Sequence, residues 1–181
     1  MAAITLFGRG RLAEEITIET REAQSVVEVA AETRLWQIPK VLGAGFETAR
    51  GHIEGKGAEV EGMPYARYLE IDWKDMLGKG MFGQLIQFAF GKQKMRIGMF
   101  SSKPLPSEGA AIGTEIAPGR YVTTIHRGAY HKVGDTYRKI VDWAEAEGVS
   151  LADSSMENYI DDPTEMAMED VRTRIWIAIK E

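Results

Sequence analysis

The sequence contains no cysteine, which excludes disulfides, thiolate catalysis and cysteine-ligated zinc or iron. It also lacks the positive charge of a nucleic-acid-binding module, because 22 basic residues stand against 27 acidic ones and the net charge is −5. We therefore expect no direct contact with nucleic acid. The first residues lack the basic segment and long apolar run of a secretory signal, so a cytoplasmic protein is expected.

Signatures of common catalytic sites are also missing from the sequence. His126 and His131 stand on either side of a predicted strand-to-helix junction, and no third ligand with metal-binding spacing follows them. The glycines form no phosphate-binding loop after a strand, and no serine lies in a nucleophile-elbow context. We predict no metal and no cofactor, and nothing in the sequence requires an enzymatic function.

Hydrophobic periodicity predicts the same order of elements in each half of the chain. The predicted elements of the first half are two strands over 16–35, a helix from Trp36, and strands over 65–72 and 95–100. Those of the second half are a strand over 121–127, a helix over 130–147, and strands over 156–161 and 171–179. Gly148 stands where a left-handed C-terminal helix cap belongs.

A weak internal repeat accompanies this order of elements. RYLE at 67–70 matches NYID at 158–161 in residue class, and MRI at 95–97 matches TRI at 173–175. Prolines, serines and glycines over 101–113 mark a linker between the halves. We predict a single domain over 1–181, with a first repeat at about 14–103, an insertion at 74–92 and a second repeat at about 112–181.

The second half resembles the GyrI-like effector-binding domain family in three segments: APGRY at 117–121, HRGAY at 126–130 and NYIDDP at 158–163. That family includes the drug-sensing domains of AraC-type and MerR-type regulators and standalone proteins. The resemblance implies an α+β fold of duplicated strand-helix-strand-strand units, forming a concave antiparallel sheet with helices behind it. A ligand groove would lie between the halves. Members that bind cationic drugs commonly carry a cavity glutamate where this sequence has Arg174 and, in the first half, Arg96, so the resemblance does not extend to that carboxylate.

Alternation along strands predicts one shared face for the residues that would line the groove. If Ile175 and Ile177 face the helices, the opposite face carries the residues that we predict to bind the ligand. They are Tyr68, Glu70, Arg96, Gly98, Tyr159, Asp161, Arg174 and Trp176. This set predicts binding of a small, planar, largely apolar aromatic molecule, as in drug binding, sensing or sequestration.

The two arginines leave alternatives open. Arginine on an aromatic wall binds a carboxylate or sulfonate bidentately, which favours an anionic ligand. Ion pairs of Arg96 with Glu70, and of Arg174 with Asp161 or Glu115, would instead neutralise the groove and favour a neutral ligand. As a further alternative, the aromatic face meets a second copy in a homodimer.

The insertion at 74–92 is too apolar for a plain loop, and its glycines and lysine make it a poor membrane span. We predict that it forms a lid, with Phe82 among the ligand-binding residues. As alternatives, it forms a helix that covers exposed sheet, or it makes a dimer contact. The resemblance also implies two other functions. One is hydrolysis of strained cyclopropane-bearing natural products, with Glu70, Asp161 or Glu115 as the base. The other is a protein-interaction module of the gyrase-inhibitor kind.

Overall fold

A computed structural model describes residues 15–78 and 91–180 of the chain. In these residues three helices accompany one antiparallel sheet, which confirms the predicted α+β class. The helices are α1 (Ile38–Gly55), α2 (Trp73–Gly78) and α3 (Val133–Glu147). The strands are β1 (Thr17–Arg21), β2 (Gln24–Arg34), β3 (Val60–Leu69), β4 (Lys92–Ser101), β5 (Ala111–Ile116), β6 (Gly119–Arg127), β7 (Ser154–Tyr159) and β8 (Arg172–Ala178).

The eight strands form a curled sheet in the order β1-β6-β8-β7-β3-β4-β2-β5. Strands β3 and β7 pair at its centre, with Tyr68 opposite Ser155. On one side of this pair the chain runs β2-α1-β3-β4, and on the other it runs β6-α3-β7-β8. The predicted order of elements is therefore confirmed in both halves, whereas their origin by duplication stays a prediction.

The second long helix ends where Gly148 predicts, and both long helices begin two or three residues after their predicted starts. A short 3-10 turn over Leu35–Gln37 precedes α1, and Pro39 lies in the first turn of the helix. A second 3-10 turn, Tyr130–Lys132, precedes α3. Gly148 caps α3 in the left-handed conformation with φ 67°, which costs glycine nothing because it has no Cβ.

The two faces of the sheet have different neighbours. Ala66 and Ile97 pack against α1, and Ile175 and Ile177 pack against α3; we call this side the helix face. The other side, which we call the open face, carries its own buried cluster of Val26, Tyr65, Phe100, Ile116, Tyr121 and Met156. Because both faces hold buried clusters, apolar alternation alone does not distinguish them.

The predicted linker over 101–113 is more ordered than expected, and it ends inside strand β5, which the sequence analysis missed. Leu105 packs against the apolar cluster that contains Ala111, and the hydroxyl of Ser101 donates to the carbonyl of Lys103 at 2.9 Å. Strand β5 pairs with β2 at the edge of the sheet. An edge strand buries little, and its GTE sequence at 113–115 offers no apolar alternation to detect.

Candidate functional site

A cleft of about 1480 Å³ lies over the centre of the helix face, between α1 and α3. Strand β3 contributes Tyr68 to it, and β7 contributes Glu157 and Tyr159. Phe46 of α1 meets the ring of Tyr159 edge-on at 6.0 Å between centroids. Tyr130 meets the same ring at 5.8 Å. The cleft therefore has aromatic walls from both halves of the chain.

A buried carboxyl group, that of Glu157, lies on the floor of this cleft. The side chain of Glu157 is 5% exposed. The hydroxyl of Tyr137 donates a 2.7 Å hydrogen bond to its Oε1, and Tyr159 also hydrogen-bonds the carboxyl group. Since Tyr137 uses its proton toward Glu157, the hydroxyl of Ser155 donates to Tyr137, at 2.8 Å. The hydroxyls of Tyr68 and Tyr159 lie 3.2 Å apart, which extends the network.

Burial controls the protonation of this network. Loss of hydration disfavours the carboxylate and raises the pKa of Glu157 to about 7, although the hydrogen bonds from Tyr137 and Tyr159 act in the opposite direction. Burial likewise raises the pKa of Tyr68, Tyr137 and Tyr159. The tyrosines therefore stay protonated donors near neutral pH, while Glu157 changes charge there.

Glu70 and Asp161, two of the predicted ligand-binding residues, line the rim of the cleft. Glu70 is exposed and accepts a 2.8 Å hydrogen bond from Lys94, not from Arg96 as the ion-pair alternative expected. Asp161 accepts two hydrogen bonds of 2.8 Å from the guanidinium of Arg172, not of Arg174. The Arg172 partner holds the pKa of Asp161 below its usual range. Both carboxylates therefore have basic partners, whereas Glu157 has none within residues 15–78 and 91–180.

The structure separates the predicted ligand-binding residues onto two faces of the sheet. Tyr68 and Tyr159 lie on the helix face, whereas Arg174 and Trp176 lie on the open face, as the alternation with Ile175 and Ile177 predicted for β8. Arg96 and Gly98 also lie on the open face, opposite Arg67 and Tyr65 of β3. The expectation of one shared face was therefore wrong. Phe82 lies outside the described residues.

The separation of these residues onto two faces arises from the register between β7 and β8. Arg174 pairs with Asn158 and not with Tyr159, and a difference of one residue in a strand exchanges the two faces. The arginines consequently do not reach the cleft, and the anionic-ligand argument does not apply to it. Arg174 lies 3.8 Å from Glu19, which is neither of the partners considered from the sequence.

Gly98 was expected to leave room for a ligand, but a side chain already fills that room. A Cβ at position 98 would lie 2.5 Å from the hydroxyl oxygen of Tyr65. Tyr65 is fully buried, and its hydroxyl donates to Glu28 at 2.9 Å. Arg67 donates two further bonds to Glu28, both of 2.7 Å. This part of the open face is a closed structural network.

Sequence reasoning missed Glu157 and Tyr137. Alternation on β7 places Glu157 on the same face as Tyr159, two residues away, so the signal was available once Tyr159 was chosen. Tyr137 lies among the buried residues of α3. A buried tyrosine hydroxyl requires a hydrogen-bond partner, which was the available sign of a polar group beneath that helix.

Histidines and acids do not form a further centre in the parts of the chain that the structure describes. His126 bonds Thr136 at 2.8 Å and the carbonyl of Ala129 at 3.2 Å, so it joins β6 to the start of α3. Within 15–78 and 91–180, histidine and acidic side chains do not gather into a group of three that would hold a metal ion. The helices of these ranges are too short or too polar to cross a membrane.

Solved structures of similar fold cover almost the whole chain. The C-terminal domain of EcmrR matches with a TM-score of 0.70 at 17% identity, over 93% of this chain and 98% of that one. In the EcmrR–DNA complex the matched chain is longer, and the match covers 59% of it and 94% of this chain, at 18% identity and a TM-score of 0.68.

Two other structures of similar fold are a hydrolase and a protein with a bound ligand. A hydrolase encoded by lin2189 from Listeria innocua matches with a TM-score of 0.63 at 10% identity, over 93% of each chain. SAV2435 bound to tetraphenylphosphonium matches with a TM-score of 0.51 at 13% identity, over 92% of this chain and 94% of that one. At these identities the likenesses establish the fold alone.

The family comparison agrees with the fold. No curated protein matches the sequence. The profile of the GyrI-like small molecule binding domain matches residues 83–180, which is more than half of the chain. The chain therefore belongs to the GyrI-like small molecule binding domain family.

Proposed function

We propose that the protein takes up a planar, largely apolar aromatic cation in the cleft between α1 and α3, in drug binding, sensing or sequestration. The observation that carries this proposal is the Glu157 carboxyl group, which is buried among tyrosines without an ion-pair partner in the described residues. A buried carboxylate is costly unless a positive charge or hydrogen bonds compensate it. A ligand cation would supply the missing charge.

The walls of the cleft suit the remainder of such a ligand. Tyr68, Tyr130, Tyr159 and Phe46 offer aromatic surfaces, and aromatic faces attract cations through their ring quadrupoles. SAV2435, which shares the fold, is described as bound to tetraphenylphosphonium, an aromatic cation. Its ligand supports the proposal by analogy of fold only.

The test uses three bicyclic planar probes that differ in charge: 1-methylquinolinium, naphthalene-2-carboxamide and 2-naphthoate. Calorimetric titration at pH 8 is expected to find tightest binding to the cation in the cleft, weakened about tenfold or more by Glu157→Gln. The neutral amide is expected to bind both proteins equally. Glu165→Gln, which removes an exposed carboxylate from the rim, is the matched control and should leave cation affinity unchanged. Equal cation affinity of wild type and Glu157→Gln would contradict the proposal.

Hydrolysis of a strained cyclopropane ring is a second candidate function, because Glu157 accepts a hydrogen bond from the phenol group of Tyr137. A carboxyl group with a pKa of about 7 is suited to general acid or base catalysis at neutral pH, and Tyr137 orients it at 2.7 Å. A spirocyclopropyl cyclohexadienone would then gain the mass of one water in the presence of the protein. Glu157→Gln is expected to reduce that rate about a hundredfold, and a rate equal to that of the uncatalysed reaction in wild type would eliminate this candidate.

Other parts of the sequence-based interpretation stay predictions: the homodimer, the lack of direct nucleic-acid contact, the cytoplasmic location and the lid formed by the insertion.

A further inference from the structure

A second cavity, of about 560 Å³, lies on the open face of the sheet. Asn158 of β7 and Trp176 of β8 line it, together with Arg21 at the end of β1 and Phe100 of β4. Asn158 stands between Glu157 and Tyr159 in sequence and points to the other face. Asn158 and Glu157 thus line opposite faces of the sheet, while Met63 and Ile160 line both cavities.

The guanidinium of an arginine lies over an aromatic floor in this cavity. The guanidinium carbon of Arg21 is 3.5 Å from the ring centroid of Trp176, 5.5 Å from that of Tyr121 and 5.9 Å from that of Phe100. A second guanidinium, that of Arg174, lies 5.8 Å from the Trp176 ring. Two positive charges thus flank one indole, and stacking holds Arg21 in place.

Several polar atoms around this floor have no partner among the described residues. Nη1 of Arg21 and Nε1 of Trp176 are buried donors without an acceptor. Nη2 of Arg21 donates to Gln24, and Nη1 of Arg174 forms an ion pair with Glu19 at 3.8 Å. Asn158 donates to the carbonyl of Met63 at 3.3 Å, but its Oδ1 is buried without a donor.

Unmade hydrogen bonds of buried groups are destabilising, and those of charged donors are the most costly. An acceptor that carries negative charge would satisfy the arginine and indole donors together, and a carboxylate or sulfonate matches the planar fork of a guanidinium. Glu22 and Glu61 also line the cavity, but both are exposed. Solvent screens their charges more than it screens that of the half-buried Arg21.

We propose that this cavity is a second ligand site, which binds a small aromatic carboxylate or sulfonate. Arg21 and Arg174 would hold the anionic group, Met63, Phe100 and Ile160 would contact the aromatic body, and Asn158 would accept a hydrogen bond from a ligand hydroxyl or amine. The site lies on the other face of the sheet from Glu157 and has the opposite charge preference. It gives Arg174 a binding role, and Trp176 the role of positioning Arg21, at a different place from the one that the sequence analysis expected.

The test titrates the full chain with 2-naphthoate and naphthalene-2-carboxamide by calorimetry. We expect 2-naphthoate to bind more tightly than the amide, with affinity reduced about tenfold or more by Arg21→Gln and by Arg174→Gln. Arg120→Gln, which changes an exposed arginine outside both cavities, should bind as wild type does. Arg174 is partly exposed, so its variant serves even where Arg21→Gln disturbs the fold.

A competition experiment separates this site from the cleft. A saturating concentration of 1-methylquinolinium should leave the number of 2-naphthoate sites unchanged, and Glu157→Gln should retain 2-naphthoate binding. The proposal is overturned where wild type does not bind 2-naphthoate, where the two arginine variants bind it as wild type does, or where the cation displaces it stoichiometrically. Failure of cation binding alone would overturn only the proposed function of the cleft.

Discussion

The hydroxyl of Tyr137 lies 2.7 Å from Oε1 of Glu157 and donates its proton to that oxygen. This bond joins helix α3 to the central strand β7 at the floor of the cleft, between two side chains that are both buried. Burial raises the pKa of Glu157 by more than this bond lowers it, and the balance is a pKa of about 7. The charge of the cleft therefore depends on pH within the physiological range.

Cation binding is expected to follow this titration. The Glu157 carboxylate predominates above pH 7, so the affinity for 1-methylquinolinium, whose charge is permanent, should rise about tenfold from pH 6 to pH 8. Tyr137→Phe removes a hydrogen bond to the carboxylate and should move the midpoint of this rise to higher pH. Glu157→Gln should remove the rise altogether. Calorimetric titrations at several pH values test all three, and an affinity that is constant in wild type would contradict the assignment.

Folding stability should also depend on the ionisation of Glu157, but its contribution should fall as pH rises, whereas cation affinity rises. The pKa of Glu157 is raised from its usual 4.5 to about 7, so its contribution to stability is full below pH 4.5 and is lost as pH rises through 7. The free energy of unfolding of Glu157→Gln, taken relative to that of wild type, should therefore rise by about 2–3 kcal/mol from pH 5 to pH 8. Urea unfolding at both pH values measures this difference. Glu147→Gln, at the end of α3, is the control, and parallel changes in Glu157→Gln and wild type would refute the prediction.

The elements could be predicted because each half of the chain carries strong local signals. Pro39 and Gly148 mark the start of α1 and the end of α3, and the alternation of Ile175 and Ile177 with Trp176 gives the orientation of β8 correctly. Strand β5 was missed because the GTE at 113–115 interrupts its apolar residues, so the edge strand that pairs with β2 shows no regular alternation. Local signals are thus sufficient for elements that bury a regular apolar face.

The composition of the site depended on information that the sequence does not hold locally. Alternation relates Arg174 to Trp176 within a strand, but only the register between β7 and β8 decides whether Arg174 shares a face with Asn158 or with Tyr159. Each strand was oriented separately, so tyrosines of the helix face were combined with arginines of the open face. Resemblance to the family places Arg174 at the position of a glutamate, whereas the buried glutamate of the cleft is Glu157 on β7.

Gly98 illustrates how a residue expected to make space proves to accommodate a neighbour. A Cβ in Gly98→Ala would approach Cζ and the hydroxyl oxygen of Tyr65 to 2.5 Å each. Tyr65 is fully buried and bound to Glu28, so it has little freedom to move, and we expect a loss of about 1–3 kcal/mol in unfolding free energy. Gly51→Ala, which meets nothing within 4 Å in α1, should instead stabilise by about 0.5–1 kcal/mol. Urea unfolding of the two variants at one pH tests this contrast. Equal changes in the unfolding free energy of Gly98→Ala and Gly51→Ala would contradict it.

The bidentate pair of Arg67 and Glu28 should be sensitive to removal of one partner only. Arg67→Met leaves the Glu28 carboxylate, which is 2% exposed, with the Tyr65 hydroxyl alone, and we expect a loss of about 3 kcal/mol. Replacing both partners, in Glu28→Leu with Arg67→Met, should recover much of this loss because no buried charge then lacks its counterion. Glu70→Gln breaks the exposed pair with Lys94 and should change stability little. A double-mutant cycle by urea unfolding measures the coupling, and strictly additive losses would mean that the pair does not act as a unit.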